Sequence, residues 1–162
     1  MSDGVLIYLK CNGLNGQCGH DNHSNEFLLD WHDADAIGTV MNSAREASGH
    51  YKAFPFSVVL STVAGKDAAN VESETLKSAG AMRKIIDEAT IKHFEIVNGA
   101  QALTHTYTLN NVTFSPTGNP YEFQVNFTKY KSKKQGYNSD GTVIPSNEVW
   151  YDTKTNTSSF IS

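Results

Sequence analysis

The segment from Ile91 to Tyr130 restricts this chain more than any other, because it reads as three strands joined by two turns. From Tyr121 to Lys129, Tyr121, Phe123, Val125 and Phe127 alternate with Glu122, Gln124, Asn126 and Thr128. That period of two belongs to a strand with one buried face. Upstream, Leu103, His105, Tyr107 and Leu109 alternate with Thr104, Thr106 and Thr108, and such β-branched and aromatic content suits a pleated surface. The apolar phase slips at Asn110-Asn111, and Val112 and Phe114 carry it on; one extra residue at a bulge would produce that slip. Asn98-Gly99 between apolar runs predicts a hairpin turn, since both central positions of a two-residue turn favour positive φ. Ser115 to Pro120 predicts the second turn. The strand ahead of Asn98, Ala89 to Val97, is less regular. Ile91 falls on the face opposite Phe94 and Ile96, so it is either buried on both sides or bulged.

The rest of the chain supplies partners for this block. Val5 to Leu9 is a continuous apolar run, read as a strand buried on both faces. Lys10 to Ser24 is rich in Gly and Asn and predicts a loop. Glu26 to Trp31 predicts a strand with Phe27, Leu29 and Trp31 on one face, and Phe54 to Val63 another with Phe56, Val58 and Leu60 in phase. Between them, His32 to Ala53 has no clear period and predicts a long excursion from the sheet; loops beyond about 12–15 residues are usually functional or mobile. Gly65 to Ile86 is the helical stretch. Ser73 is a plausible N-cap, Asp67 is the alternative start, and Gly80 makes the helix short or ends it nearby. Gln135 to Asn147 predicts a polar loop, and Glu148 to Thr155 a last strand around Trp150. Strands far outnumber helices. The expectation is a mostly β fold, a compact barrel or sandwich of two sheets with one flanking short α-helix, in a single domain over 1–162.

The net charge of −4 argues against nucleic acid or an anionic membrane as partner, and no run approaches the roughly 18 apolar residues of a membrane span. The basic run Lys129 to Lys134 reads as a solvated turn. The start, MSDGVLIYLKCNG, lacks basic residues ahead of its apolar segment, and that segment is too short for a signal peptide, so the chain is expected to be made in a cytosol. Cys11 and Cys18 are the two cysteines; the favoured reading is a reduced pair, with a disulfide as the alternative.

Few residues invite chemistry. His20, Asp21, His23, His32, Asp33 and Asp35 are close in sequence, and such side chains can hold a divalent cation. Their spacing matches no ligand pattern, and solvated loop positions are the favoured reading. His93 and His105 sit on strands that pair across the Asn98-Gly99 turn, which reads as a structural contact rather than an acid–base couple. Trp31, Phe56, Tyr107, Phe127 and Trp150 read as core. There is no G-x-S-x-G elbow and no phosphate loop. The expectation is therefore no enzyme, no catalytic residue, no metal and no cofactor. A carbohydrate-binding β-sandwich module and, behind it, a metal-dependent hydrolase are the alternatives.

Taken in order, IYLKCNGLNGQCGHDNH with Gly16 and His23, FLLDWHDADAIG with Trp31, SETLKSAG over Ser73 to Gly80, TYTLNNVTFSP over Thr106 to Pro116, YEFQVNFTKYK, and VWYDTKTNT with Trp150, Lys154 and Asn156 resemble the haemolysin-coregulated protein (Hcp) family along nearly the whole chain. These proteins are inner-tube subunits of the bacterial type VI secretion system. The resemblance implies a β-barrel domain that forms a homo-hexameric ring. Rings stack into a tube within a contractile sheath, under a spike, and can carry effectors. It further implies a protein of the bacterial cytoplasm that is secreted through that machine. On this reading the His32 to Ala53 excursion makes contacts between stacked rings, with His50, Tyr51 and Phe54, at and just beyond its end, as oligomer-contact residues. The polar face of Glu122, Gln124, Asn126 and Thr128 would suit a wet channel.

Overall fold

A computed structural model describes residues 5–16, 18, 22–33, 56–62, 67–97, 99–145, 148–152, 155 and 157–158. Its elements are β1 (Val5–Cys11), β2 (Phe27–His32), β3 (Phe56–Thr62), α1 (Asp67–Ala81), β4 (Ile86–Val97), β5 (Ala100–Pro116), β6 (Glu122–Phe127), β7 (Lys129–Lys134), β8 (Gly136–Tyr137), β9 (Val143–Ile144), β10 (Glu148–Asp152) and β11 (Thr157–Ser158). The main sheet runs β11-β10-β7-β5-β4-β1-β2-β3-β6, and β6 pairs again with β5. That second pairing closes β5-β4-β1-β2-β3-β6 into a six-stranded barrel and leaves none of the six with an open edge. β8 and β9 form a separate two-stranded sheet. The expected β-barrel with one helix is the fold observed among the described residues.

β5 is long enough to serve two partners in turn. Its first half pairs with β7, from His105 opposite Lys134 to Asn110 opposite Lys129. Its end pairs with β6, from Thr113 opposite Asn126 to Pro116 opposite Phe123. Both pairings share one register, so no extra residue lies at Asn110-Asn111. The phase slip has a different cause. Asn111 takes a left-handed backbone with φ of 56°, a conformation asparagine tolerates better than most residues. Its Nδ2 donates to Thr128 Oγ1 at 2.9 Å, and the Thr128 amide donates to the Asn110 carbonyl at 3.0 Å. Both strands therefore turn at one level, where the buried positions pass from Leu109 to Val112 on β5 and from Phe127 to Tyr130 across to β7. The bulge itself lies elsewhere: His93 faces His105 but Phe94 faces Leu103, which makes Thr104 the extra residue.

A second bulge, between Leu29 and Trp31 of β2, corrects the expected core. It moves Trp31 out of phase with Phe27 and Leu29, so Trp31 is 39% exposed while those two are fully buried. Tyr107 and Phe127 are core as expected, Trp150 is half-buried, and the Phe56 side chain lies outside the described residues. The basic run Lys129 to Lys134 is also no turn but strand β7. Its alternation puts Tyr130 and Ser132 inward. On the opposite face, Lys129 Nζ lies 5.6 Å from the centre of the Trp150 ring and Lys131 lies 3.8 Å from Glu148. The two-residue turn after β4 forms where expected, with Val97 opposite Ala100 and Gly99 at φ 77°. Ile91 is fully buried on the inner face, while on the opposite face of β4 Phe94 is half-buried and Ile96 is exposed. Across from it on β1 stands Leu9, also fully buried, while Tyr8 pairs with Lys92 on the outer face.

Helix α1 begins at Asp67, the longer of the two starts, so Ser73 lies within it rather than capping it. Leu76 and Ala79 enter the core. The helix stops in a Schellman motif: the Lys84 amide donates to the Ala79 carbonyl, the Arg83 amide to that of Gly80, and Arg83 takes φ of 54°. Gly80 lets the helix approach the barrel closely, since a Cβ there would lie 2.7 Å from the Phe114 carbonyl oxygen of β5.

Candidate functional site

The barrel interior between β1, β2, β4 and β5 is apolar, packed by Leu9, Leu29, Ile91, Tyr107 and Leu109. Toward the start of β1 the lining changes from aliphatic to imidazole. His93 follows Ile91 by two positions on β4 and pairs with Ile7 of β1 on one side and His105 of β5 on the other. All of these point to the inner face, as does Tyr107, two positions from His105. On β2 the bulge that turns Trp31 outward turns His32 inward. Its ring meets His93 over β1, with centroids 4.5 Å apart, and the two Nε2 atoms share a hydrogen bond. His93 and His105 rings lie 4.9 Å apart. Tyr107, fully buried, floors the group at 5.3 Å from His32 and 5.8 Å from His93. All three histidines are half-buried.

Thr104, the extra residue of the bulge, places its hydroxyl oxygen 2.8 Å from His105 Nδ1 and 3.4 Å from the His93 carbonyl oxygen, which ties the histidine ring to the bulge.

The sequence pointed to a pairing of His93 with His105 across the hairpin, and the register makes them direct partners. It did not bring in His32, which belonged to the His20–Asp35 group. The described members of that group have separate partners. His23 bonds Glu26 at 2.8 Å and stacks on Tyr8 with centroids 3.8 Å apart, on the outer face of β1 beside Phe94. Asp33 accepts the Val59 amide at 2.6 Å. His20, Asp21 and Asp35 lie outside the described residues, as do the expected subunit contacts His50, Tyr51 and Phe54. Among the described residues, no group of three or more His, Cys, Asp or Glu side chains is placed to hold a metal ion.

Gly16 explains how the Gly/Asn loop fits under His23. Its amide donates to the Asn25 carbonyl at 2.8 Å, and a Cβ there would lie 2.1 Å from the Glu26 carbonyl oxygen. Tyr8 is fully buried in this outer layer. Its pKa is raised by burial first, then by the neighbouring Cys18, with a hydrogen bond to Gln101 opposing and Glu26 adding a further upward push. Cys11 and Cys18 are buried thiols and form no disulfide, in line with the reduced reading. Burial pushes the Cys11 pKa up to about 12.

An open groove of about 660 Å³ follows α1, lined by Leu14, Ser78, Ala79 and Met82 with Glu74 and Lys84 at its borders. On β6 the outward polar residues are tied together: Gln124 donates to Asn126 at 2.9 Å and Asn126 to Ser115 at 3.1 Å. Among the described residues, no helix is long and apolar enough to cross a membrane.

No family model matches the sequence, and no curated protein matches it. The structure has clear counterparts. It is similar to Hcp1 from Salmonella typhimurium at a TM-score of 0.60 and 18% identity, over 96% of this chain and 99% of the other. It is similar to a structure described as a type six secretion system protein at a TM-score of 0.67 and 13% identity, over 94% of this chain and 98% of the other. It is also similar to the secreted protein Hcp3 from Pseudomonas aeruginosa at a TM-score of 0.52 and 12% identity, over 91% and 98%. At these identities the likeness is one of fold, and the fold of this chain is Hcp-like.

Proposed function

We propose that this chain is a structural subunit of a type VI secretion inner tube, in which six copies close into a ring and rings stack end to end. The observation that carries this reading is the end-to-end match with Hcp1, 96% of one chain on 99% of the other, so the counterpart is the whole tube-type domain and not a shared motif. Passing from fold to role is analogy, and the chemistry supports it from the other side. On the inner face His32 bonds His93 and His105 bonds the Thr104 hydroxyl, and the described members of the candidate metal group, His23, His32 and Asp33, take separate partners. The protein works by the surfaces that it presents to its copies, without catalysis.

A ring needs two different complementary patches on each subunit, because its interface is heterologous and must close. His50, Tyr51 and Phe54 are assigned to subunit contacts. The outward polar face of β6, with Gln124 and Asn126, is assigned to the wet channel. In this role the chain is made in the bacterial cytoplasm and exported with the tube. Its partners are sheath and spike proteins outside the ring and effectors within it.

The test is the mass of the purified chain by light scattering across a range of concentrations, with negative-stain images of the same sample. Six-fold rings with an open centre support the proposal. A monomer at every concentration, without rings, refutes it and returns the chain to the class of β-sandwich binding modules.

A further inference from the structure

Lysines that lie far apart in the sequence meet on one outer wall of the main sheet. In one row Lys10 of β1 pairs with Thr90 of β4, Thr90 with Thr108 of β5, and Thr108 with Lys131 of β7. In the next row Lys92 of β4 pairs with Thr106 of β5, and Thr106 with Lys133 of β7. Each of these residues is flanked along its strand by a buried one, Leu9, Ile91, Tyr107 or Ser132, so all of them share the outer face. The result is a frame of four lysines around a floor of half-buried threonines. Neighbouring strands stand about 4.8 Å apart and alternate residues of one strand about 6.7 Å apart, so Lys92 and Lys133 are about 10 Å from each other at the backbone and Lys131 and Lys133 about 7 Å.

The carboxylates near this wall stand outside the frame. Glu148 faces Lys133 from β10 and lies 3.8 Å from Lys131, and Asp152 faces Lys129. Glu88 faces Asn110, and Glu26 is held by the His23 ring that stacks on Tyr8. Lys10, Lys92 and Lys133 form no ion pair among the described residues. Three cations thus converge on a surface whose floor offers hydroxyl groups and no negative charge, in a chain whose net charge is −4.

We propose that this lysine frame is a docking site for an extended acidic segment of a partner protein, laid along β5 over Thr106 and Thr108. Charge complementarity and spacing both favour that occupant. In an extended chain successive side chains point to opposite sides, and alternate ones are about 6.7 Å apart. Carboxylates at consecutive positions therefore reach Lys92 and Lys10 on one side and Lys133 and Lys131 on the other. The threonine hydroxyls donate to and accept from the main chain of the segment. Nucleic acid fits less well. β1, β4, β5, β7 and β10 carry no arginine for a bidentate phosphate grip. The aromatic of this wall, Trp150, is half-buried with Lys129 Nζ 5.6 Å from its ring centre, so it offers no open platform for base stacking. Exposed ion pairs are individually weak and screened by salt, so the contact is reversible and depends on several lysines acting together. The docking site is independent of ring closure.

The experiment titrates the full chain into a fluorescent peptide of about ten glutamates, at about 20 mM and about 300 mM salt, with an oligothymidine of equal charge as the second probe. Amide chemical shifts map the contact. The glutamate peptide should bind at low salt, lose about tenfold or more in affinity at the higher salt, and shift the amides of Thr90, Thr106 and Thr108. Lys133→Glu should weaken binding by about threefold or more, and Lys92→Glu with Lys133→Glu by about tenfold or more. Arg83→Glu, the same change of charge at the helix stop, should leave it within about twofold. Lys133 is exposed and its substitution leaves the core untouched, so that variant decides even if the double one does not fold. Absence of binding at low salt, shifts confined to another face, or undiminished binding by Lys133→Glu would overturn the docking site. Tighter binding of the oligothymidine than of the glutamate peptide would overturn the assignment to an acidic protein segment.

Discussion

Replacing Gly80 by alanine sets two effects of known size against each other. Within a helix, glycine is about 1 kcal/mol worse than alanine, so helix propensity alone predicts stabilisation by that amount. The tertiary structure predicts the reverse. A Cβ on residue 80 would sit 2.7 Å from the Phe114 carbonyl oxygen and 3.4 Å from its carbonyl carbon. These are backbone atoms of a strand held by β4 and β6, and they cannot rotate aside. The helix has to back away by several tenths of an ångström. Leu76 and Ala79, at 0% and 4% exposure, then lose contact with the core, and a gap of about 0.5–1 Å forfeits a quarter to a half of each dispersion well. Overpacking of this kind costs about 1–3 kcal/mol. Against the propensity gain, the net expectation is destabilisation by about 1–2 kcal/mol. For a chain of this size that is a loss of roughly 2–8 °C in Tm. Urea unfolding at matched protein concentration, so that self-association does not enter the comparison, should show a lower midpoint at an unchanged slope. A Gly80→Ala variant more stable than the parent would refute the close approach of α1 to β5.

Three further outcomes follow from the same structure. Gly16→Ala should destabilise more than Gly80→Ala, by about 3 kcal/mol, because its Cβ would lie 2.1 Å from the Glu26 carbonyl oxygen; weakened quenching or shifted resonances at Tyr8 and His23 would accompany the lower urea midpoint. Arg83→Gly should stabilise by about 0.5–1 kcal/mol, since Arg83 is exposed and holds a left-handed φ of 54° at the helix stop that glycine adopts without strain, and thermal melts will read it. Cys11, with its pKa pushed up to about 12 by burial, should be inert to a thiol reagent at pH 8 until denaturant is added. Because the folded state holds that proton above the unfolded thiol value near 8.5, its contribution to stability should fade as pH rises past that point.

The strands were legible in this sequence because alternation is a local property. Phe123, Val125 and Phe127 declare an inner face whatever lies across from them, and Asn98-Gly99 declares a turn. The order of elements was enough to suggest the Hcp-like barrel that the structure has. Where the reading failed, the signal was not local. Trp31 and His32 exchange faces because of a bulge whose cause lies in the pairing of β2 with β3, and nothing in EFLLDWH marks it. The charges of Lys129 to Lys134 point to a turn and only its alternation points to a strand; Tyr130 and Ser132 face inward because β5 and β10 flank that strand. The histidine group shows the same division. His93 and His105 share one hairpin, so their contact could be read from spacing. His32 reaches them from 61 residues away, through the placement of β1 between β2 and β4, and only closure of the barrel decides that. The sequence by itself settled which residues alternate and where the chain turns. The tertiary structure decided which strand lies beside which, and hence which side chains meet, because pairing between distant strands depends on a register that no short window of residues contains.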